Sequence, residues 1–144
     1  MYRGPLSYVL EQGQQTIQEL VRVARKGAIL IIGCDSRYDF VRWLLHEGEN
    51  QLESAIEVFE AGEYEAGEGA FARLYTVEEL TALINESGCE MVEIASTPVL
   101  IDSWEQSLYP EGDRQKLKEL ELKFCTVPEL LGMGHHLFCV AKKR

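Results

Sequence analysis

The sequence predicts a layered α/β domain, and three features point to it. Residues 28–33, Ala28-Ile29-Leu30-Ile31-Ile32-Gly33, are a short apolar run that reads as a fully buried strand. An amphipathic helical pattern leads into that run with a single glycine between them. Downstream, helix-like and strand-like segments alternate to the end of the chain, the pattern of helices layered on a sheet.

The elements follow in order. Gly4-Pro5 is a turn signal. Leu6, Leu10, Ile17, Leu20, Val21 and Ala24 then recur at helical spacing. Gly13 inside this pattern costs about 1 kcal/mol relative to alanine. Arg22, Arg25 and Lys26 sit where the helix dipole favours cations, and Gly27 supplies a left-handed stop. A helix feeding directly into an apolar strand is the second half of a βαβ crossover, a unit whose strands are normally covered on both faces. Residues 34–37, Cys34-Asp35-Ser36-Arg37, form a polar loop. Residues 38–60 have mixed helical character, carried by Phe40, Val41, Leu44 and Leu45, then Leu52, Ala55, Ile56 and Phe59. Gly62, Gly67 and Gly69 make residues 61–70 read as a flexible loop.

The clearest local signature is Thr76-Val77-Glu78-Glu79, a capping box that opens a helix with Leu80, Leu83 and Ile84 as its buried stripe. Gly88 ends it. Residues 89–95 alternate as a strand, with Met91, Glu93 and Ala95 on one face and Val92 and Ile94 on the other. Pro98 stops the strand. A helix over about 112–124 carries Leu117, Leu120 and Phe124. Leu137-Phe138-Cys139-Val140-Ala141 is the last strand, followed by the basic tail Lys142-Lys143-Arg144.

The 144 residues predict a single domain, 1–144, large enough to bury roughly two thirds of its unfolded surface. The net charge is −10. Eight glutamates and no Lys or Arg lie between Trp43 and Ala72, so this stretch repels phosphate backbones and argues against a nucleic-acid partner. Residues 43–74 read as an acidic insertion or lid. No apolar run approaches the roughly 20 residues of a membrane span, and Met1 to Pro5 hold no signal-peptide core. The expectation is a cytoplasmic protein with no membrane partner. Cys34, Cys89, Cys125 and Cys139 form no C-x-x-C pair and read as free thiols.

Few motifs carry chemistry. Gly67-Glu68-Gly69 lacks lysine and is acidic, which speaks against phosphate. Gly132-Met133-Gly134 leads into a strand rather than a helix and is no dinucleotide fingerprint. His135 and His136 are neighbours on a strand and point to opposite faces, so they do not easily share one ion. Cys34, Cys125 and a histidine lack metal-ligand spacing, so no metal site is assigned. One histidine lining a cleft competes with a histidine that simply caps the strand end. Ser7 is in no nucleophile elbow. The loop 34–37 leaves the carboxyl end of a strand, where open α/β sheets form their ligand crevices, so Asp35 is placed either to contact substrate or to cap a turn.

These segments together resemble the C-terminal half of a class I S-adenosylmethionine-dependent methyltransferase of the type 11/12 kind. The resemblance rests on residues 4–8 (Gly-Pro-Leu-Ser-Tyr), on residues 21–31 (Val-Arg-Val-Ala-Arg-Lys-Gly-Ala-Ile-Leu-Ile), on residues 73–80 (Arg-Leu-Tyr-Thr-Val-Glu-Glu-Leu) and on residues 134–143. Ala28 departs from the family's second glycine. The resemblance implies a partial Rossmann-like fold. Its three-stranded mixed sheet would hold the strands equivalent to the fifth, seventh and sixth, the last strand antiparallel between the others. It implies S-adenosylmethionine as cofactor of the complete enzyme. No position matches the family's Gly-rich donor loop or its acidic strand end, so no cofactor is expected for this chain alone. Residues 34–37, 96–98 and 134–136 would converge at one rim, joined by residues 4–8, to face a small-molecule methyl acceptor. Tyr8, Asp35, Arg37 and His135 are the substrate-side residues this implies. The expected function is that of a methyltransferase fragment, inactive alone. The alternatives are an enzyme completed by another chain and a stand-alone interaction or dimerisation module. With the first four strands missing, the chain is expected to self-associate through the exposed edge of strand 28–33, or through the faces left without their covering helices.

Overall fold

The computed structural model describes residues 4–9, 12–66, 70–101 and 105–144. Leu10 of the expected first helix and Gly67-Glu68-Gly69 lie outside the described residues. A 3-10 turn at Pro5–Tyr8 opens the chain. Then follow α1 (Gly13–Val23), β1 (Ile29–Asp35), α2 (Arg37–Glu47), α3 (Leu52–Ala61), β2 (Glu63–Ala66), β3 (Ala70–Arg73), α4 (Val77–Glu86), β4 (Cys89–Thr97), α5 (Glu111–Phe124) and β5 (His136–Lys143). No helix among the described residues is long and apolar enough to cross a membrane.

The three long strands form one sheet in the order β1-β5-β4, and β5 runs antiparallel to both neighbours. β1 and β4 are therefore parallel with the last strand between them, the expected arrangement. One sheet face carries Ile32, Cys34, Cys89, Leu137, Cys139 and Ala141, packed against Ile17 and Val21 of α1 and Leu80 and Ile84 of α4. Both helices lie on that face, and the main core sits between them and the sheet.

The opposite face differs from expectation. Residues 28–33 read as fully buried, yet Ile29 is 56% and Ile31 75% exposed. Phe138 and Val92 are exposed as well. An apolar run records the hydrophobicity of both faces of a strand but not whether a second layer covers them. β4 holds a second correction. Its register against β5 jumps between Met91 and Glu93, leaving Val92 as a bulge residue. Cys89 and Met91 serve the core before the bulge, and Ile94 and Ser96 after it. Val92 and Ile94 therefore do not share a face.

Gly13 is the first residue of α1, so the penalty for an interior glycine does not apply, and the Tyr75 hydroxyl fills the space beside it. α1 stops at Ala24, which turns extended at ψ 143°, rather than at Gly27. Gly27, at φ 76°, belongs to the tight turn closed by the Ala28 amide donating to the Arg25 carbonyl at 3.0 Å. The basic tail closes the helix: Lys143 Nζ donates to the Val21 and Ala24 carbonyls at 2.7 and 2.8 Å. A cation on these unsatisfied carbonyls also complements the dipole.

Within residues 61–70, expected to be a loop, Glu63–Ala66 and Ala70 instead lie in paired strands. β2 pairs antiparallel with β3, with Tyr64 opposite Ala72. The hairpin closes a second small core in which Leu44, Ala55, Val58, Ala72 and Leu74 are buried, with Tyr8, Phe40, Val41 and Tyr64 packed around them. The Glu-Tyr-Glu-Ala alternation of β2 is a half-buried strand pattern, too short to stand out beside flanking glycines. The capping box at α4 forms as read. Thr76 Oγ1 accepts from the Glu79 amide at 3.2 Å, and Glu79 Oε2 accepts from the Thr76 amide at 2.9 Å. α5 forms within one residue of its expected start and buries no residue fully.

Candidate functional site

The carboxyl end of β1 and the amino end of β5 meet at one rim of the sheet. The register places Asp35 beside His136 and His136 beside Thr97 of β4. The Ser36 amide donates to the His135 carbonyl at 2.9 Å, and the His135 amide to the Pro98 carbonyl at 3.3 Å. Segments 34–37, 96–98 and 134–136 thus converge. The 4–8 segment joins them through Gly4, which lies so close to the Cys34 backbone that a Cβ would fall 2.4 Å from its Cα. Only glycine permits that approach.

Asp35 is the centre of the rim. Its Oδ1 accepts from the Gly4 amide at 2.7 Å and contacts His136 Nδ1 at 2.9 Å, while Oδ2 accepts from the Tyr8 hydroxyl at 2.8 Å. Its own amide donates to Ser7 Oγ at 2.8 Å. Burial pushes the carboxyl up, but the hydrogen bonds from His136, Gly4 and Tyr8 and the charge of His136 outweigh it, and the group titrates below the ordinary aspartate value. An ionised carboxylate can only accept, so His136 Nδ1 carries the proton toward Asp35. In the neutral ring, Nε2 then presents a lone pair. The pair can orient and accept a proton from a bound hydroxyl or amine.

The four residues expected on the substrate side divide. Tyr8 and Asp35 are bonded to each other. His135 lies next to them, with Nε2 3.5 Å from Asp39 Oδ2 and its ring centroid 6.4 Å from that of His136. Arg37 is turned elsewhere. Its Nη2 donates to both Glu79 oxygens at 2.5 and 2.6 Å and to the Leu74 carbonyl at 3.3 Å. Gly62, at φ 70°, leaves room for that guanidinium, since a Cβ there would fall 2.0 Å from Nη2. Arg37 therefore ties α2 to α4. The contact of His136 with Asp35 is one that sequence reasoning did not reach, because the sequence offers no way to choose between adjacent histidines. The only usable signal is the register that sets residue 136 opposite residue 35. Ser96 Oγ, fully buried near Gly134, has no hydrogen-bond partner among the described residues.

A separate cleft of about 450 Å³ opens between the start of α1, the hairpin and α4, lined by Gln14, Phe71, Arg73, Tyr75, Glu79 and Leu83 among others. It holds none of the four expected residues. Burial, reinforced by Cys34, pushes the Tyr75 phenol up to about 12 despite the opposing Arg73 charge.

Among the described residues no group of three or more His, Cys, Asp or Glu side chains could hold a metal ion. A nucleotide-type cofactor needs backbone amides presented by a glycine turn between a strand and a helix. The turns here are Asp35-Ser36-Arg37 before α2 and Leu74-Tyr75-Thr76 before α4, both without glycine. The described residues do not fit such a group.

No family model matches the chain, and no curated protein matches it in sequence. Its fold is similar to the crystal structure of an S-adenosylmethionine-dependent methyltransferase from Mesorhizobium loti, with a TM-score of 0.51 and 11% identity. That likeness covers 98% of this chain and 59% of the Mesorhizobium chain. The chain thus has a methyltransferase-like α/β fold and spans little more than half the length of this solved relative in structure.

Proposed function

We propose that this chain is the substrate-side, C-terminal half of a type 11/12-like S-adenosylmethionine-dependent methyltransferase and is inactive alone. The observation that carries this reading is the likeness to a methyltransferase over 98% of this chain but 59% of that chain. The lack of a glycine turn between strand and helix at Asp35-Ser36-Arg37 and Leu74-Tyr75-Thr76, among the described residues, supports it. On this reading Tyr8, Asp35, His135 and His136 meet a small-molecule methyl acceptor at the rim, and Arg37 positions the loop from behind. The acidic segment 43–74, folded on its own small core, would lie over that rim as a lid. S-adenosylmethionine belongs to the complete enzyme.

Calorimetric titration with S-adenosylmethionine and S-adenosylhomocysteine tests the inactive-half reading, with no binding heat expected from either. Stoichiometric micromolar binding would overturn it. An NMR screen with small phenols, amines and carboxylates tests the acceptor site. Shifts clustered at Tyr8, His135 and His136 support it, and shifts confined to the Tyr75–Glu79 cleft would move the site there.

The alternative of an interaction module is favoured by one specific observation: no described strand pairs with the outer edge of β1 from Ile29 to Gly33.

A further inference from the structure

We propose that β1 pairs edge to edge with β1 of a second copy, antiparallel, about a twofold axis at Ile31. This goes beyond the methyltransferase reading and does not depend on it.

The strand's hydrogen-bonding parity defines the edge. The Lys143 amide donates to the Ala28 carbonyl, and the Ser36 amide to the His135 carbonyl. Even-numbered residues of this strand therefore bond inward to β5, and the amides and carbonyls of Ile29, Ile31, Gly33 and Asp35 point outward. At Asp35 the outward groups are already used, the amide by Ser7 Oγ and the carbonyl by the Tyr75 amide. At the other end the chain turns at Gly27, where space is open. That leaves a window at Ile29, Ile31 and Gly33 on which no described strand pairs.

The window is self-complementary. Antiparallel pairing centred on Ile31 sets Ile31 against its mate and Ile29 against the partner's Gly33. It is the only register that uses all three outward residues in both copies, because Ser7 and Tyr75 stop the ladder at Asp35. The partner's Gly27 turn then falls opposite Asp35, where its strand ends. The side chains agree with this register. Gly33 presents none, and the Phe138 ring lies over it, 3.0 Å from where a Cβ would be. The partner's Ile29 would meet that exposed ring. The segment from Ile29 to Gly33 carries no charge, proline or bulge, the usual protections of a free edge. The chain's net charge of −10 disfavours contact through its acidic surfaces, whereas this strip is uncharged.

Parity also supplies the test. Ile31→Pro removes an outward donor and leaves every β1–β5 bond in place. Sedimentation of the wild-type chain up to about 100 µM should show a reversible monomer–dimer equilibrium, as expected for a small interface. Ile31→Pro should be monomeric with unchanged circular dichroism. A second variant keeps the test independent of proline tolerance. In a Cys125→Ser background, Ile31→Cys should form a disulfide-linked dimer under mild oxidation, since paired residues at such an axis sit about 5.5 Å apart. Val92→Cys, also exposed but on the far strand, should not. A wild-type chain that stays monomeric, with Ile31→Cys uncrosslinked, overturns the proposal and leaves this edge to a strand of another polypeptide. A dimer that crosslinks equally well at Val92 also overturns it.

Discussion

Asp35 and His136 face each other across paired strands, Oδ1 to Nδ1 at 2.9 Å, and the same carboxylate holds the Gly4 amide and the Tyr8 hydroxyl. One buried charge thus fastens three separate stretches of chain: β1, β5 and the 4–8 segment. The site's geometry and its stability are linked through it.

That link makes a pH prediction. The Asp35 carboxyl titrates below its ordinary value in the folded protein. Its stabilising contribution is therefore fully present above the unfolded carboxylate value of about 3.9 and is lost as pH falls through the lowered folded value. Asp35→Asn should lose about 1–3 kcal/mol at neutral pH, because Gly4, Tyr8 and His136 keep one poorer acceptor. Its acid-unfolding limb should be shallower than that of the wild type. Urea titrations between pH 7 and 3 check this, and identical slopes would refute it.

Gly62 and Arg37 should be coupled. Alanine at 62 meets both a left-handed backbone and the guanidinium beneath it. Arg37→Ala removes the second conflict but leaves Glu79 without its closest cation. The double variant should be less destabilised than the sum of the singles, by roughly 0.5–3 kcal/mol. A double-mutant cycle by urea denaturation measures it. Strict additivity would mean that the backbone conformation alone requires glycine.

These two sites show what the sequence could and could not convey. The capping box at Thr76 and the helix ends near Gly88 were legible because each is a local interaction over a few residues. The sheet order was legible only through the resemblance, since nothing in residues 136–143 says which strands they join. The bulge at Val92 was illegible, because one extra residue leaves the alternation of residue types intact while reversing its meaning. The hairpin at 63–73 was hidden by flanking glycines. That His136 rather than His135 meets Asp35 follows from cross-strand register, a long-range fact. The open face at Ile29 and Ile31 was misread because apolar residues do not report their cover.

The thiols should separate by burial. Cys34, Cys89 and Cys139 are fully buried, and burial pushes all three up, Cys139 to about 11. Cys125, at the end of α5, is half-buried with its thiol on the Leu122 carbonyl at 3.3 Å. One thiol should react with an aromatic disulfide reagent in the native protein, and four in denaturant. Because thiolate is the reactive form, the buried three should remain silent near pH 8 until the chain unfolds. Mass spectrometry after brief labelling identifies the site. Native labelling at Cys34 would contradict the packing of β1 on α1.

Lys143 gives the last prediction. Its ammonium donates to two carbonyls at the end of α1, so residues 122 and 119 positions apart are joined where the helix has no partners of its own. Lys143→Met keeps the aliphatic stem and removes only the donor. The change should cost about 1–2 kcal/mol, the value of hydrogen bonds to a charged group less the water that replaces it. Lys142→Met, on the exposed face of β5, should cost less than half a kilocalorie, about the limit for surface changes. The effect should also be local. Amide exchange should accelerate at Val21 to Ala24 in Lys143→Met before it does in the sheet, because the last turn frays once its carbonyls lose their donor. Uniform acceleration across α1 and β5 would instead mean that Lys143 acts through strand pairing and not as a helix cap.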